Sequence, residues 1–423
     1  MNTYTEVFLF ALLAGYAVEY WLSSRQSSFI LAHRHAVPEA FRASVTLEEH
    51  QKAADYTLAK GQLGLVNRTL GVVILLVFTL GGGIQWVADF WNSLGLSELL
   101  TGVATILSVM LIGQMLEWPL SYYQTFRLEQ RFGFNRNNPL QFFRDAFMQL
   151  LLGAMLLGPL LALLLALMQR AGDLWWLIGW AVFMSFSILM SWAFPTFIAP
   201  LFNTFTPLAD PVLARRIETL LDRCGFKSQG IFVMDGSRRS GHGNAYFTGI
   251  GNNKRIVFFD TLLESLSHDE VEAVLAHELG HFKCRHVLKM LVFSALLTLA
   301  GFATLGWLAQ QAEFFTGLGV STQSMALALL LFMLVLPAFT TFLQPISAWM
   351  QRRNEFEADD FAAGQTRSRD LVSALVKLYR ENAATLTPDP VYSAFYYSHP
   401  PASIRIAHLE RPSKGRWLDC LDL

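Results

Sequence analysis

Seven stretches of the chain are apolar over a length close to that needed to cross a bilayer: residues 4–22, 70–87, 99–116, 146–168, 174–194, 287–308 and 325–346. Trp21, Trp86, Trp91, Trp118, Trp175, Trp176, Trp307 and Trp349 flank several of them, as the amphipathic rings of an interfacial belt do. Between the fifth and sixth stretches the pattern changes. "ADPVLARRIETLLDRCGF" carries apolar residues at helical spacing (Val212, Ile217, Leu220, Leu221), with Gly225 placed as a C-cap. "GIFVMDG", "NAYFTGI" and "KRIVFFD" are short strand-like runs bounded by turn residues. The pattern therefore predicts a polytopic helical membrane protein with a soluble α/β insertion. Part of residues 23–60 and the last few residues are the only candidates for disorder.

Composition agrees. The 423 residues are 53% hydrophobic and only 15% charged, where a soluble domain carries roughly 25% charged residues. A net charge of -1 gives no reason to expect a nucleic-acid partner. Three cysteines, Cys224, Cys284 and Cys420, lie far apart and predict no disulfide framework. The first apolar run lacks a basic lead-in and a small-residue cleavage site, so it reads as a retained span rather than a signal peptide.

Basic residues alternate along the chain. Arg25, Arg34, Arg42, Lys52, Lys60 and Arg68 follow the first stretch, and Arg127, Arg131, Arg136 and Arg144 follow the third. The segments after the second and sixth have none. That alternation predicts an outside N-terminus, with the soluble insertion and the C-terminus cytoplasmic. Glu19, Asn67, Gln114 and Gln149 lie in or beside spans. Those deep in a span are expected to face the bundle interior or a watery cavity, while Glu6, Arg68 and Glu117 are placed to snorkel.

One motif carries chemistry. "VLAHELGHF" sets His277 and His281 at i and i+4, so both imidazoles share one helix face, with Glu278 beside them. Two histidines so placed hold zinc in proteases, and the glutamate takes a proton from the metal-activated water. Ser267 and Glu270 form a capping-box pattern just upstream. A catalytic zinc needs a third protein ligand. Cys284 and His286 are near, but a ligand that close favours a closed structural site. "RRNEFEADDFA" offers Glu355, Glu357, Asp359 and Asp360, which spacing alone does not separate; one could ligate the metal while another orients a histidine. "SHPPASIR" contains His399 and Arg405, residue types suited to an oxyanion. "SGHGNAYFTGI" leads into a strand that could bind an extended peptide at its edge.

Together "RFGFNRNNPLQFFRD", "GSRRSGHGNAYFTGIGNNKRIVFFDTLL", "HELGH", "NEFEADDFA" and "SHPPASIR" resemble the type I CAAX prenyl endopeptidases, the a-factor-converting and farnesylated-protein-converting zinc proteases. The resemblance covers nearly the whole chain, with one small departure, Gly243 where the family has serine. It implies seven transmembrane helices around a large internal chamber, capped by a gluzincin-type metalloprotease domain with a small β-sheet. It implies His277, His281 and Glu355 as ligands of one Zn2+, Glu278 as general base and Asp359 as the partner of a histidine ligand. Asn244, Ala245 and Tyr246 would lie on the substrate-binding strand, and His399 and Arg405 would bind substrate and stabilise the tetrahedral intermediate. Residues 1–204 would hold spans one to five, 205–286 and 351–423 the protease domain, and 287–350 spans six and seven. The partners implied are the bilayer and a peptide or protein substrate, possibly lipidated. A bacterial inner membrane is expected from the compact length, or the endoplasmic reticulum in a eukaryote. The alternatives are a quality-control protease without prenyl specificity and, further off, a transporter with a vestigial site.

Overall fold

The protein is described from a computed structural model that covers residues 2–228, 230–248 and 255–411. Seven of its helices are long and apolar enough to span a membrane: Thr3–His33, Leu47–Phe78, Glu98–Phe132, Pro139–Arg170, Gly172–Phe202, His286–Leu308 and Met325–Gln365. Their starts follow local chemistry. Asn2, Ser97, Asn138 and Ser324 each accept a hydrogen bond from a first-turn backbone N–H, and Thr46 with Glu49 forms a capping box.

Two expectations shift. The second apolar stretch does not run unbroken to residue 87. Its helix ends at Phe78, and a short helix, Gly83–Ser93, follows. The break falls at three glycines. Gly82 adopts φ +77, and a Cβ on Gly81 would sit 2.6 Å from the Val77 carbonyl oxygen, so only glycine fits this reversal. The segment 23–60 is also ordered: the first helix continues to His33 and the second begins at Leu47. Arg25 pairs with Asp389, Arg34 pairs bidentately with Asp55, and Gln26 accepts the Asp389 backbone N–H. Those partners are distant in sequence, so local composition could not reveal them.

The spans are loosely filled. Only 6% of the apolar window is buried in the second and fifth helices, whereas a solid bundle would cover one full face of each. Polar span residues face cavities, as expected. Asn67 and Arg68 line one of about 700 Å³, and Gln114 and Gln149 line another of about 450 Å³. Arg68 does not snorkel; it reaches Glu19 at 2.6 Å, and Glu19 also accepts from Thr341. One carboxylate thus ties spans one, two and seven together.

The soluble part contains a four-stranded sheet, β1 Phe205–Pro207, β2 Ile231–Met234, β3 Ala245–Thr248 and β4 Arg255–Phe259, in the order β1-β2-β4-β3. β1, three residues long, escaped the sequence pattern. β2 and β4 are parallel, β3 is antiparallel to β4, and β3 is an edge strand. Helix Pro211–Cys224 ends as anticipated on Gly225, at φ 71. One core joins both halves of the soluble part: Leu213, Ile217, Phe258, Val271, Leu275 and Leu279 pack with Phe361 near the end of the seventh span's helix and with Leu371 and Leu375 beyond it. Each such side chain contributes about 1.5–3 kcal/mol when fully buried. Helix Gln344–Gln365 runs through residue 350 unbroken, so the end of the seventh span and the "NEFEADDFA" segment share one helix. Among the cysteines, Cys224 is a buried free thiol, but Cys284 is disulfide-bonded, against expectation.

Candidate metal centre

Helix His268–Lys283 carries the His-Glu-x-x-His motif, and the predicted Ser267–Glu270 capping box starts it. It lies directly on helix Gln344–Gln365. The contact is backbone-close because residue 280 is glycine: a Cβ there would stand 2.9 Å from the Ala358 Cα. This approach brings Glu355, one turn before Ala358, under both histidines.

Three donor groups converge. His277 Nε2 and His281 Nε2 are 3.3 Å apart. Glu355 Oε2 lies 3.4 Å from His277 Nε2, and Oε1 lies 3.3 Å from His281 Nε2. A tetrahedral ion with bonds of about 2.0–2.1 Å needs ligand atoms about 3.3–3.4 Å apart. Glu355 is 4% exposed, and its Oε2 is buried without a hydrogen-bond partner. A buried carboxylate whose two oxygens each face an imidazole nitrogen fits a divalent metal. Three ligands leave a fourth position free.

The surrounding groups hold this set in place. Asp359 is fully buried, and its Oδ1 is 2.9 Å from His277 Nδ1. Arg405, 5% exposed, donates to both oxygens of Asp359, with Nε to Oδ2 at 2.8 Å and Nη2 to Oδ1 at 2.5 Å. Its Nη1 is 3.3 Å from Glu355 Oε2. Burial and the Arg405 charge favour the neutral form of His277, but Asp359 and Glu355 outweigh them, and its pKa is pushed up to about 9. His399 stands on the open side. Its side chain is 62% exposed, its Nε2 is 3.3 Å from Glu355 Oε1, and its Nδ1 is 2.8 Å from Ser398 Oγ. Glu278 is half-buried beside His277, and no hydrogen bond to its side chain is found among the described residues.

So His277, His281, Glu355, Asp359, His399 and Arg405 come together. Asn244, Ala245 and Tyr246 lie at the start of edge strand β3 and bond elsewhere: Asn244 is exposed, its carbonyl accepts from Phe259 N–H, and its side chain accepts from Ala245 N–H. Tyr246 turns into a pocket of about 390 Å³ with Pro195, Phe205 and Arg255. The loop before β3 is pinned by residues that sequence reasoning missed. Asn382 Oδ1 bonds His242 Nδ1 and the Gly243 N–H, and Phe134 stacks on His242 at 4.3 Å. Gly241 N–H donates to the Phe134 carbonyl, and Arg239 pairs with Asp145. The "RFGFNRNNP" and "GSRRSGHG" blocks therefore dock on each other. Tyr379, half-buried near Arg405 and bonded by the Ala402 backbone, also had no sequence signal.

Residues 26–204 match the family described as CAAX prenyl protease N-terminal, five membrane helices, and residues 207–413 match peptidase family M48. The chain belongs to peptidase family M48. A CAAX prenyl protease 1 homolog of Arabidopsis thaliana is 32% identical over 419 residues, covering 95% of this chain and 96% of that protein. CAAX prenyl protease 1 of Saccharomyces cerevisiae is 32% identical over 440 residues, covering 96% and 94%. The crystal structure of Ste24p from S. mikatae superposes with a TM-score of 0.92 at 30% identity, over 97% of this chain and 100% of that one. This M48 member is an integral, multi-pass membrane metalloprotease, a hydrolase of peptide bonds. Family membership implies a metal, and the three converging donors can accept one.

Proposed function

We propose that this M48 protease is a zinc endopeptidase that cuts membrane-associated peptides, prenylated CAAX-type peptides among them, on the cytoplasmic side of its membrane. One observation carries the metal assignment: two imidazole nitrogens 3.3 Å apart face one buried carboxylate, whose oxygens lie 3.4 Å from His277 Nε2 and 3.3 Å from His281 Nε2. This is a zinc donor set, with His277, His281 and Glu355 as ligands. When bound, zinc lowers the pKa of its water and polarises the scissile carbonyl.

The chain's own groups do the remaining work. The Glu278 carboxylate accepts the proton of the attacking water and passes it to the leaving amine nitrogen. The exposed His399 ring donates from Nε2 to the oxygen that gains charge. Arg405 is satisfied by Asp359 and Glu355, so it acts chiefly by fixing those carboxylates rather than as a free oxyanion donor. Asn244, Ala245 and Tyr246 present the unpaired edge of β3, which binds the substrate backbone as an added strand. The hollow arrangement of the spans supports an internal chamber through which such peptides reach the zinc. The charge alternation supports an outside N-terminus, with residues 205–286 and 351–423 forming one cytoplasmic catalytic unit.

The test is metal analysis of the purified protein, with mass-spectrometric mapping of cleavage of one peptide series with and without a farnesyl group. About one zinc per chain and preferred cleavage of the farnesylated peptide are expected. A chain that binds no zinc yet cleaves refutes the mechanism. Equal cleavage of both peptides refutes prenyl selectivity alone.

A further inference from the structure

We propose that His286 and Glu357 form a two-step hydrogen-bond relay that holds His281 in the tautomer able to ligate the metal. The inference rests on the reading of His281 as a ligand and adds positioning residues to it.

The geometry fixes each proton. His281 Nδ1 lies 3.0 Å from His286 Nδ1. Two imidazole nitrogens at that distance need one N–H and one lone pair. His286 Nε2 is 2.9 Å from Glu357 Oε2. A carboxylate only accepts, so Nε2 of His286 carries the hydrogen and its Nδ1 is bare. His281 must then donate from Nδ1, which leaves the Nε2 lone pair directed at His277 Nε2 and Glu355. Lys289 and Arg353 flank Glu357 at 3.4 and 3.3 Å and hold its carboxylate over the ring. His277 is held by a carboxylate directly, through Asp359; His281 is held through an intervening imidazole. Partners of this kind orient metal-bound histidines generally.

The backbone is shaped for the contact. In an unbroken helix, residue 286 would point about 140° away from residue 281. Instead the motif helix stops at Lys283, and Arg285 takes the left-handed conformation, φ 56. That is an uncommon geometry for a residue with a Cβ. The turn folds His286, first residue of the sixth span and 3% exposed, back onto His281. His286 and Glu357 also approach Cys284 closely enough to suggest a second metal site, but the Cys284 sulfur is in a disulfide and supplies no thiolate.

The experiment measures zinc retained by the full-length detergent-purified protein across a series of chelator-buffered zinc concentrations at one pH. The proteins compared are wild type, His281→Ala, His286→Phe, His286→Gln and Glu357→Leu. His286→Phe keeps a ring but removes the acceptor, and is expected to weaken zinc binding about 10–100-fold. His286→Gln restores a carbonyl that can accept from His281 Nδ1 and should recover most of the affinity. Glu357→Leu, at a partly exposed side chain, should weaken binding in the same direction. Wild-type affinity in His286→Phe or Glu357→Leu, or a Gln variant as weak as Phe, overturns the relay and leaves a packing role. Zinc binding unaffected by His281→Ala overturns the ligand assignment itself, and the relay with it.

Discussion

Gly280 and Ala358 touch backbone to backbone: the Cβ that any other residue would add at 280 falls 2.9 Å from the Ala358 Cα and 3.1 Å from its carbonyl oxygen. Neither neighbour is a flexible side chain, so the two helices would have to part. Gly280→Ala should therefore move Glu355 away from both histidines. Overpacking of this kind costs about 1–3 kcal/mol. We expect a lower Tm and weaker zinc retention, with Gly280→Val worse than Ala. Thermal melting with parallel metal analysis checks both. Unchanged zinc retention in the valine variant would show that the helix contact does not set the ligand spacing.

Glu278 is half-buried beside His277, and among the described residues no hydrogen bond to its side chain is found. Glu278→Gln should keep the metal and the Tm while lowering kcat about 10²–10⁴-fold, the range for a removed general base. Steady-state kinetics on a fluorogenic peptide, alongside zinc content, reads this. A variant with near-normal kcat would assign the proton transfer elsewhere.

Asp359 and Arg405 are both almost wholly buried and bonded bidentately. Asp359→Asn removes the bidentate one of the two carboxylates that compensate the buried guanidinium, and breaking such a pair costs about 3–5 kcal/mol. It also loosens His277. Arg405→Lys should not rescue the site, because one ammonium cannot replace the planar fork. Unfolding midpoints and zinc titration of both variants measure the two effects. An Arg405→Lys protein as stable as wild type would contradict the bidentate argument.

Glu270 gives a pH dependence outside the metal site. Burial raises its pKa, but Lys377 at 2.7 Å, Ser373 at 2.6 Å and Ser267 outweigh that and hold it below the usual carboxylate range. A carboxyl lowered in the folded state contributes stability above its unfolded pKa, and that stability is lost as pH falls through the folded value. The protein should thus lose Tm on acidification from pH 5 downward. Glu270→Gln should lower the Tm at pH 7 and flatten that acid limb. Equal acid limbs in both proteins would remove Glu270 as the cause.

The acidic run shows most clearly where sequence legibility ended. Four carboxylates occupy residues 355–360, and each took its own set of partners: Glu355 faces the two histidines, Glu357 meets His286, Asp359 meets the far side of His277 and Arg405, and Asp360 meets His408. A helix presents side chains at 100° intervals, so the sequence limited the choices. Which side met the motif helix depended on the Gly280–Ala358 contact, which joins residues 78 positions apart. His286 was similarly undetermined: spacing made it a weak candidate ligand, and only the left-handed turn at Arg285 made it a neighbour of the far side of His281.

The sequence by itself determined the seven spans, the capped helix with both histidines and Glu278, and the helix ending at Gly225, because composition, capping and periodicity act over one or a few turns. It missed the break at Gly82, the three-residue β1 and the ordering of residues 23–60 through Arg25, Gln26 and Arg34. Only the tertiary structure decided which carboxylate faces the metal position, that Arg405 is consumed by Asp359 and Glu355, and that Glu19 binds Arg68 across two spans. Each of those depends on where two helices come to lie against each other, a property of side-chain packing between distant segments rather than of any local run of residues.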